Sequence, residues 1–178
     1  MSVPYRASIV LSLRALSPAF VWLLLSLLFQ STTFGQSLIR PDNTLPLGEE
    51  SVVSENFQNL PIEAISGGAQ RGQNIFHSFE VFDVDAGRGA YFNNPSLNIQ
   101  NIISRVTGNA TSRILGTLGT FGSSPVNLFF INPNGVIFGP EAVLDVGGAV
   151  VITSANGVEL GPQGVFSASP NIQDSLLE

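Results

Sequence analysis

The 178-residue chain has no cysteine and no lysine. Without cysteine, neither disulfides nor a thiolate metal site can hold the fold, and the chain can cross into an oxidising compartment without mispairing. Without lysine a Gly-rich phosphate loop is excluded, and the sequence contains no Gly-x-Ser-x-Gly elbow. Positive charge is confined to Arg6, Arg14, Arg40, Arg71, Arg88, Arg105 and Arg113. Charged residues make up 11% of the chain, against a usual share of about 25%, and the net charge is −6. That balance argues against a nucleic-acid partner, which needs clustered cations to neutralise phosphates. What is plentiful is apolar residues (44%), punctuated by 18 Gly and 11 Pro. This composition predicts one domain with frequent turns and few long helices.

Residues 1–35 read as a signal peptide. Arg6 and Arg14 supply a positive leading region, and Ala19–Phe29 is an uncharged apolar stretch. It falls short of the roughly 20 residues a spanning helix needs. Thr33-Phe34-Gly35 places small residues at the −3 and −1 positions, so cleavage between Gly35 and Gln36 is expected; the alternative is a retained membrane anchor. Losing Arg6 and Arg14 takes the net charge from −6 to −8. The remainder, residues 36–178, is expected to be one exported domain with no stable membrane insertion.

Within it, Asn127–Pro140 is the strongest local signal. Apolar runs at 128–131 and 136–138 flank Asn132-Pro133-Asn134-Gly135. Pro133 presets φ, and Asn132 can fold its side chain onto the backbone two residues on. Asn134 tolerates left-handed geometry, and Gly135 takes positive φ without steric cost. Such a turn can close a hairpin or bend a strand into the next side of a coil. Beyond it, β runs begin near Val136, Val143, Val150, Val158 and Val165, in steps of 7, 7, 8 and 7. A sandwich or barrel would space its strands by about 8–12 residues. Steps of seven closing on 22 fit a solenoid with three short strands per turn, in which Val136 and Val158, or Val143 and Val165, stack inside.

Upstream, Gln73–Val84 reads as a strand pressed onto a core, and Asn93-Asn94-Pro95 as a second Asn-Pro corner. Leu97–Val106 reads as a strand with a short helical turn. Glycine at every third position from 116 to 122 predicts tight corners between very short strands. Phe129, Phe130, Ile131, Ile137 and Phe138 cannot all face inward, so some cover the coil under an extra hairpin or form an exposed patch.

Asn132-Pro133-Asn134-Gly135-Val136 resembles the Asn-Pro-Asn-Gly-Ile/Val motif of the N-terminal secretion domain of filamentous haemagglutinin-like adhesins, also called the haemagglutination activity domain. These proteins are the exported partners of two-partner secretion systems. Similar stretches keep the family's order at Gly67–Phe79, Ile102–Gly108 and Leu144–Gly148. The set covers about residues 37–170 and is most similar to the cyanobacterial branch. The resemblance implies an all-β fold: a right-handed parallel β-helix with three short strands per rung, an N-terminal cap and extra antiparallel strands. It also implies a function. The domain would be recognised by the periplasmic modules of an outer-membrane β-barrel transporter, and would nucleate β-helix folding at the cell surface or outside the cell. Asn132, Pro133, Asn134 and Gly135 are the candidate secretion-motif residues, with Asn94 and Pro95 at the second corner. There the family's usual Asn-Pro-Asn-Leu stands as Asn94-Pro95-Ser96-Leu97. Family members usually continue into a long adhesin or toxin passenger. A chain stopping at Glu178 therefore reads as a fragment, a truncated product or a stand-alone domain. A monomer with no cofactor and no metal is expected.

Two other classes compete. A surface adhesin would bind carbohydrate or cells through the domain itself. A β-helix polysaccharide-active enzyme needs clustered acids, often with a basic residue, on one face, and Glu141 with Asp145 forms no partnered set. Asp83-Val84-Asp85 opens like a calcium loop but lacks the distal glutamate, and reads as a solvated turn. His77 reads as structural, and no catalytic residue is expected. Gly135→Val and Pro133→Ala are expected to harm folding or secretion more than any Ser→Ala change.

Overall fold

The structure is a computed structural model that describes residues 35–169; the expected signal peptide, apart from Gly35, lies outside the described residues. Short β-forming runs cut by Gly, Pro and Asn turns give a chain of strands. In order these are β1 (Leu38–Pro41), β2 (Ser51–Ser54), β3 (Ile62–Gly67), β4 (Ala69–Arg71), β5 (Asn74–Asp83), β6 (Gly89–Asn94), β7 (Asn101–Val106) and β8 (Ser112–Ile114). Then follow β9 (Thr117–Gly122), β10 (Asn127–Ile131), β11 (Val136–Phe138), β12 (Val143–Asp145), β13 (Val150–Thr153), β14 (Gly157–Glu159) and β15 (Val165–Ser167).

The strands wind into a parallel β-helix with three sides. Face A stacks β5, β7, β10 and β13, all parallel. Face B stacks β3, β6, β9 and β12, also parallel. The third face holds Val84, β8 and β11. Alternation along each strand decides what is inside. Ile75, Ile102 and Leu128 form one buried inward column on face A, and Ala90 and Leu118 another on face B. Aromatic rings fill the interior: Phe82 stacks on Phe92 at 5.9 Å and meets Phe79 and Phe130 edge-on at 5.1 and 4.9 Å. Each such pair contributes about 0.5–1.5 kcal/mol beyond its buried area.

Antiparallel strands decorate this coil. β5 is ten residues long, so β4 pairs with its first half and β1 with its second. β2 pairs with β3 at the N-terminal end. There Arg88 is buried against Glu63, with Nε 2.8 Å from Oε1, and its Nη2 donates to the same carboxylate and to Asn56 Oδ1. Removing one member of such a pair strands a buried charge at a cost of about 3–5 kcal/mol. The expected fold, a capped parallel β-helix with extra antiparallel strands, is the one observed.

The expected interior stacking over 22 residues is corrected. Face-A columns repeat at 27, 26 and then 22 residues (Ile75, Ile102, Leu128, Val150). Val136 pairs with Ser112 and Val143 with Thr117, while Val158 pairs antiparallel with Phe166. The runs at 136, 143 and 150 do occupy three successive faces, but those at 158 and 165 form the β14–β15 hairpin. The reason is packing. Face A is apolar on its outer side as well, and Phe76, Ile103, Phe129 and Ile131 need a cover. The hairpin supplies one, with Phe166 4.8 Å from the Phe76 ring and Leu45 completing the small second core. Phe130 points inward, whereas Ile137 and Phe138 are 56% and 40% exposed, so both outcomes expected for this aromatic-rich stretch occur. In Leu97–Val106 the strand starts only at Asn101, after a turn closed by Ile99 N donating to Ser96 O.

Candidate functional site

The turn at 132–135 joins β10 on face A to β11 on the third face. It is therefore a corner of the coil and does not close a hairpin. Asn132 is fully buried. Its Oδ1 accepts from Asn134 N at 2.9 Å, and its carbonyl accepts from Gly135 N at 2.9 Å, which closes the turn twice. Its Nδ2 donates back one rung, to Ala110 O at 3.0 Å and Ser112 Oγ at 2.9 Å, and its N donates forward to Thr153 O at 3.0 Å. Asn134 Nδ2 donates to Gly108 O at 2.8 Å, and Thr111 Oγ1 to Asn134 O at 2.8 Å. Gly135 has φ of 95°, and a Cβ there would meet nothing closer than Thr111 Cγ2 at 3.9 Å. Backbone sign, not space, selects glycine.

The second corner repeats the device. Asn94 is fully buried, Ser96 N donates to its Oδ1 at 3.1 Å, and its Nδ2 reaches Ser124 O and Oγ on the next rung, both at 3.0 Å. This corner leads from face B to face A, so the two motifs lie on different edges of the coil and are not brought together. Both asparagine side chains are spent on internal bonds. The motif surface a partner can reach is Asn134, Pro95 and parts of Pro133 and Gly135.

Two polar arrangements escaped sequence reasoning. One is an amide ladder in which Asn101 Nδ2 donates to Asn74 Oδ1 at 2.8 Å and Asn127 Nδ2 to Asn101 Oδ1 at 2.9 Å. Ala149 N caps it on Asn127 Oδ1 at 2.9 Å. The signal was present as a thrice-repeated triplet: Asn74-Ile75-Phe76, Asn101-Ile102-Ile103 and Asn127-Leu128-Phe129. The other is a clamp around Arg105, which is 2% exposed on the outer side of face A. Its Nε donates to Ser78 Oγ at 2.8 Å, its Nη2 to Thr44 Oγ1 at 2.9 Å and its Nη1 to Ser167 O, and it lies 4.2 Å over the Phe166 ring. Asp42 accepts from Ser78, Thr44 and Thr107 beside it. Burial acts to raise the Asp42 carboxyl, but those hydrogen bonds outweigh it and leave its pKa below the ordinary value.

The remaining candidates fall into place separately. Asp83 holds Arg113, with Oδ1 2.8 Å from its N and Oδ2 2.9 Å from its Nη2. His77 is fully buried with Nδ1 3.1 Å from Ser51 Oγ. Asp145 accepts from Tyr91 Oη at 3.0 Å. No group of three or more His, Cys, Asp or Glu that could hold a metal ion occurs among the described residues, and no described helix is long and apolar enough to cross a membrane. Gly35 and Gln36 are exposed, and the chain joins the fold at Ser37, which is buried and accepts from Asp85 N at 3.2 Å.

The last rung is open. Among the described residues β11, β12 and β13 are each paired on one side only. Phe138 continues the inward column of Ile114, and Leu144 that of Leu118, yet they are 40% and 48% exposed. A family model described as TPS secretion domain matches residues 37–177, a span that takes in every strand from β1 to β15. No curated protein and no solved structure matches the chain.

Proposed function

Because the chain belongs to the TPS secretion domain family and so is a two-partner secretion-targeting module of an exported protein, we propose a two-step role for it. Residues 1–35 deliver the chain to the periplasm and are cleaved before Gln36. Residues 36–178, as a monomer, are then recognised by the periplasmic modules of an outer-membrane β-barrel transporter. Outside, the coil nucleates β-helix folding of the polypeptide that follows it, at the cell surface or in the medium. The exposed parts of the Asn132–Gly135 and Asn94-Pro95 corners, with the neighbouring strand edges, are the contact surface in this reading.

The observation that carries it is the open last rung. Among the described residues, three parallel edges without a partner above two half-exposed interior columns suit a template for one more rung, and such an edge also suits pairing with a partner strand. The decisive experiment is a pull-down of the chain by the periplasmic modules of a transporter encoded beside it. Retention at low salt supports the reading, and no retention overturns it. N-terminal sequencing of the exported protein checks the Gly35–Gln36 cleavage.

A further inference from the structure

Two Asn-Gly pairs occur in the sequence, Asn134-Gly135 and Asn156-Gly157. In such a pair the glycine nitrogen can attack the asparagine side-chain amide, because no Cβ on the second residue hinders the approach. The glycine nitrogen gives up its proton and bonds to Cγ, the Cγ–Nδ2 bond breaks, and the amide nitrogen leaves as ammonia. Water then opens the cyclic imide at either carbonyl and leaves a carboxylate, as aspartate or as isoaspartate. A folded chain permits this only where the attacking nitrogen and the leaving amide are not held in place.

Both asparagines are exposed, so access to water does not separate them. Hydrogen bonding does. At the corner, Gly135 N donates to Asn132 O at 2.9 Å and Asn134 Nδ2 to Gly108 O at 2.8 Å. Attack there requires the corner to open first. The hairpin is different. Ala168 N donates to Asn156 O at 2.8 Å, and Leu160 N to Gly164 O at 2.9 Å. In the register Gly157–Ser167 and Val158–Phe166, ladder alternation makes Gly157–Ser167 a pair without hydrogen bonds. Gly157 N therefore faces away from β15, on an edge of β14 that has no partner strand among the described residues. Among those residues nothing hydrogen-bonds Gly157 N or the Asn156 side-chain amide. Nor can the fold dispense with the glycine: a Cβ at 157 would lie 2.6 Å from Phe166 O and 2.9 Å from Ser167 Cα. The close approach of β15 thus selects the residue that leaves Asn156 open to attack.

We propose that Asn156 is a self-modification site, which deamidates in the folded chain while Asn134 is preserved, and that its isoaspartyl product loosens the β14–β15 hairpin. In that product the main chain runs through Cγ and is one methylene longer. The carbonyl that accepts from Ala168 N and from Ser167 Oγ at 3.1 Å leaves the main chain as a free carboxylate. The slack falls beside Ser167, whose own carbonyl accepts from Arg105. This chemistry rests on the hairpin alone and holds whether or not a transporter binds the chain.

The test is mass-spectrometric peptide mapping of the purified chain aged at mildly alkaline pH, folded and in urea. In urea the two pairs should convert at comparable rates. In the folded chain Asn156 should convert roughly tenfold faster than Asn134, or more, and an isoaspartate-specific methyltransferase should label the peptide that carries residue 156. Hydrogen exchange of the isoaspartyl fraction should speed up severalfold in 157–167. Asn156→Asp adds the charge without the methylene and should exchange like the fresh chain. Asn156→Gln changes one exposed side chain, must form a larger ring to cyclise, and should not age. Equal folded-state rates at 134 and 156, or an intact Asn156 in folded chain that converts in urea, overturn the site. Unchanged exchange in the isoaspartyl fraction overturns its effect on the hairpin.

Discussion

At the residue scale, Asn132 outranks the glycine and proline beside it. Asn132→Ala strands the Ala110 carbonyl and Ser112 hydroxyl and opens the turn, a loss of about 2–3 kcal/mol. Gly135→Val meets open space but forces a β-branched residue to φ of 95°, a cost of about 1–3 kcal/mol. Pro133→Ala chiefly loosens the unfolded chain, by less than about 1 kcal/mol. Ser78→Ala takes a partner from both Arg105 and Asp42 and should cost about 2 kcal/mol, so at least one serine outweighs Pro133, contrary to the ranking the sequence suggests. Urea midpoints of the four variants test the order. His77 sets a pH limit, because burial pushes its pKa from 6.5 down to about 3. Below the unfolded value the unfolded chain binds a proton that the folded chain refuses. Stability therefore falls with pH by about 1.4 kcal/mol per unit from about pH 6.5 downward. Asp42, with its lowered pKa, adds a further loss as pH drops through the carboxylate range. Between pH 6.5 and 4.5 the urea midpoint should drop, and His77→Gln should flatten that drop; an unchanged slope in the variant refutes the assignment.

At the element scale, one arginine ties the β14–β15 hairpin to the coil, alongside the packing of Phe166 on Phe76. Arg105 reaches the Asp42–Thr44 segment, the outer side of face A and the hairpin carbonyl of Ser167 at once. Arg105→Lys keeps the charge but cannot span three acceptors or stack flat on Phe166. It should destabilise the domain by about 2–3 kcal/mol, and hydrogen exchange should speed up first in 157–167 and 42–45. Uniform acceleration across all strands would show instead that the clamp is part of the main core. The hairpin also marks where the sequence stopped being legible. Asn132–Gly135 announced a turn because each of its residues has a local conformational reason, and the steps at Val136, Val143 and Val150 made it a corner and announced three faces. The step to Val158 looked the same, since a hairpin strand and a coil strand of three residues have the same length and composition. Only the apolar outer side of face A, which depends on β5, β7 and β10 lying side by side, decides where that segment goes. Arg105 and Asp42 were illegible for a like reason: 63 positions part them in sequence, and Ser78 and Thr44 are the groups that join them.

At the scale of the whole molecule, the coil formed by the described residues is closed at one end and open at the other. The buried Arg88–Glu63 pair and β2 finish the first rung, while Phe138 and Leu144 leave two interior columns ending in solvent. Closed and open ends give the coil a direction, so added rungs can stack only beyond β11, β12 and β13. A charge placed at the open end should therefore leave the domain intact and injure what stacks on it. Phe138→Asp and Leu144→Asp sit at positions already 40% and 48% exposed, and each should cost the isolated domain no more than about 1 kcal/mol. With a β-helical passenger joined behind Glu178, the same changes bury an unpaired carboxylate between rungs, a penalty of several kcal/mol. The expected result is a near-normal melting temperature and transporter pull-down for the domain alone, with sharply reduced protease-resistant passenger outside the cell. If the passenger folds as well behind Leu144→Asp as behind the unsubstituted chain, the last rung is not its template, and the nucleating role fails while the transporter-binding role stands.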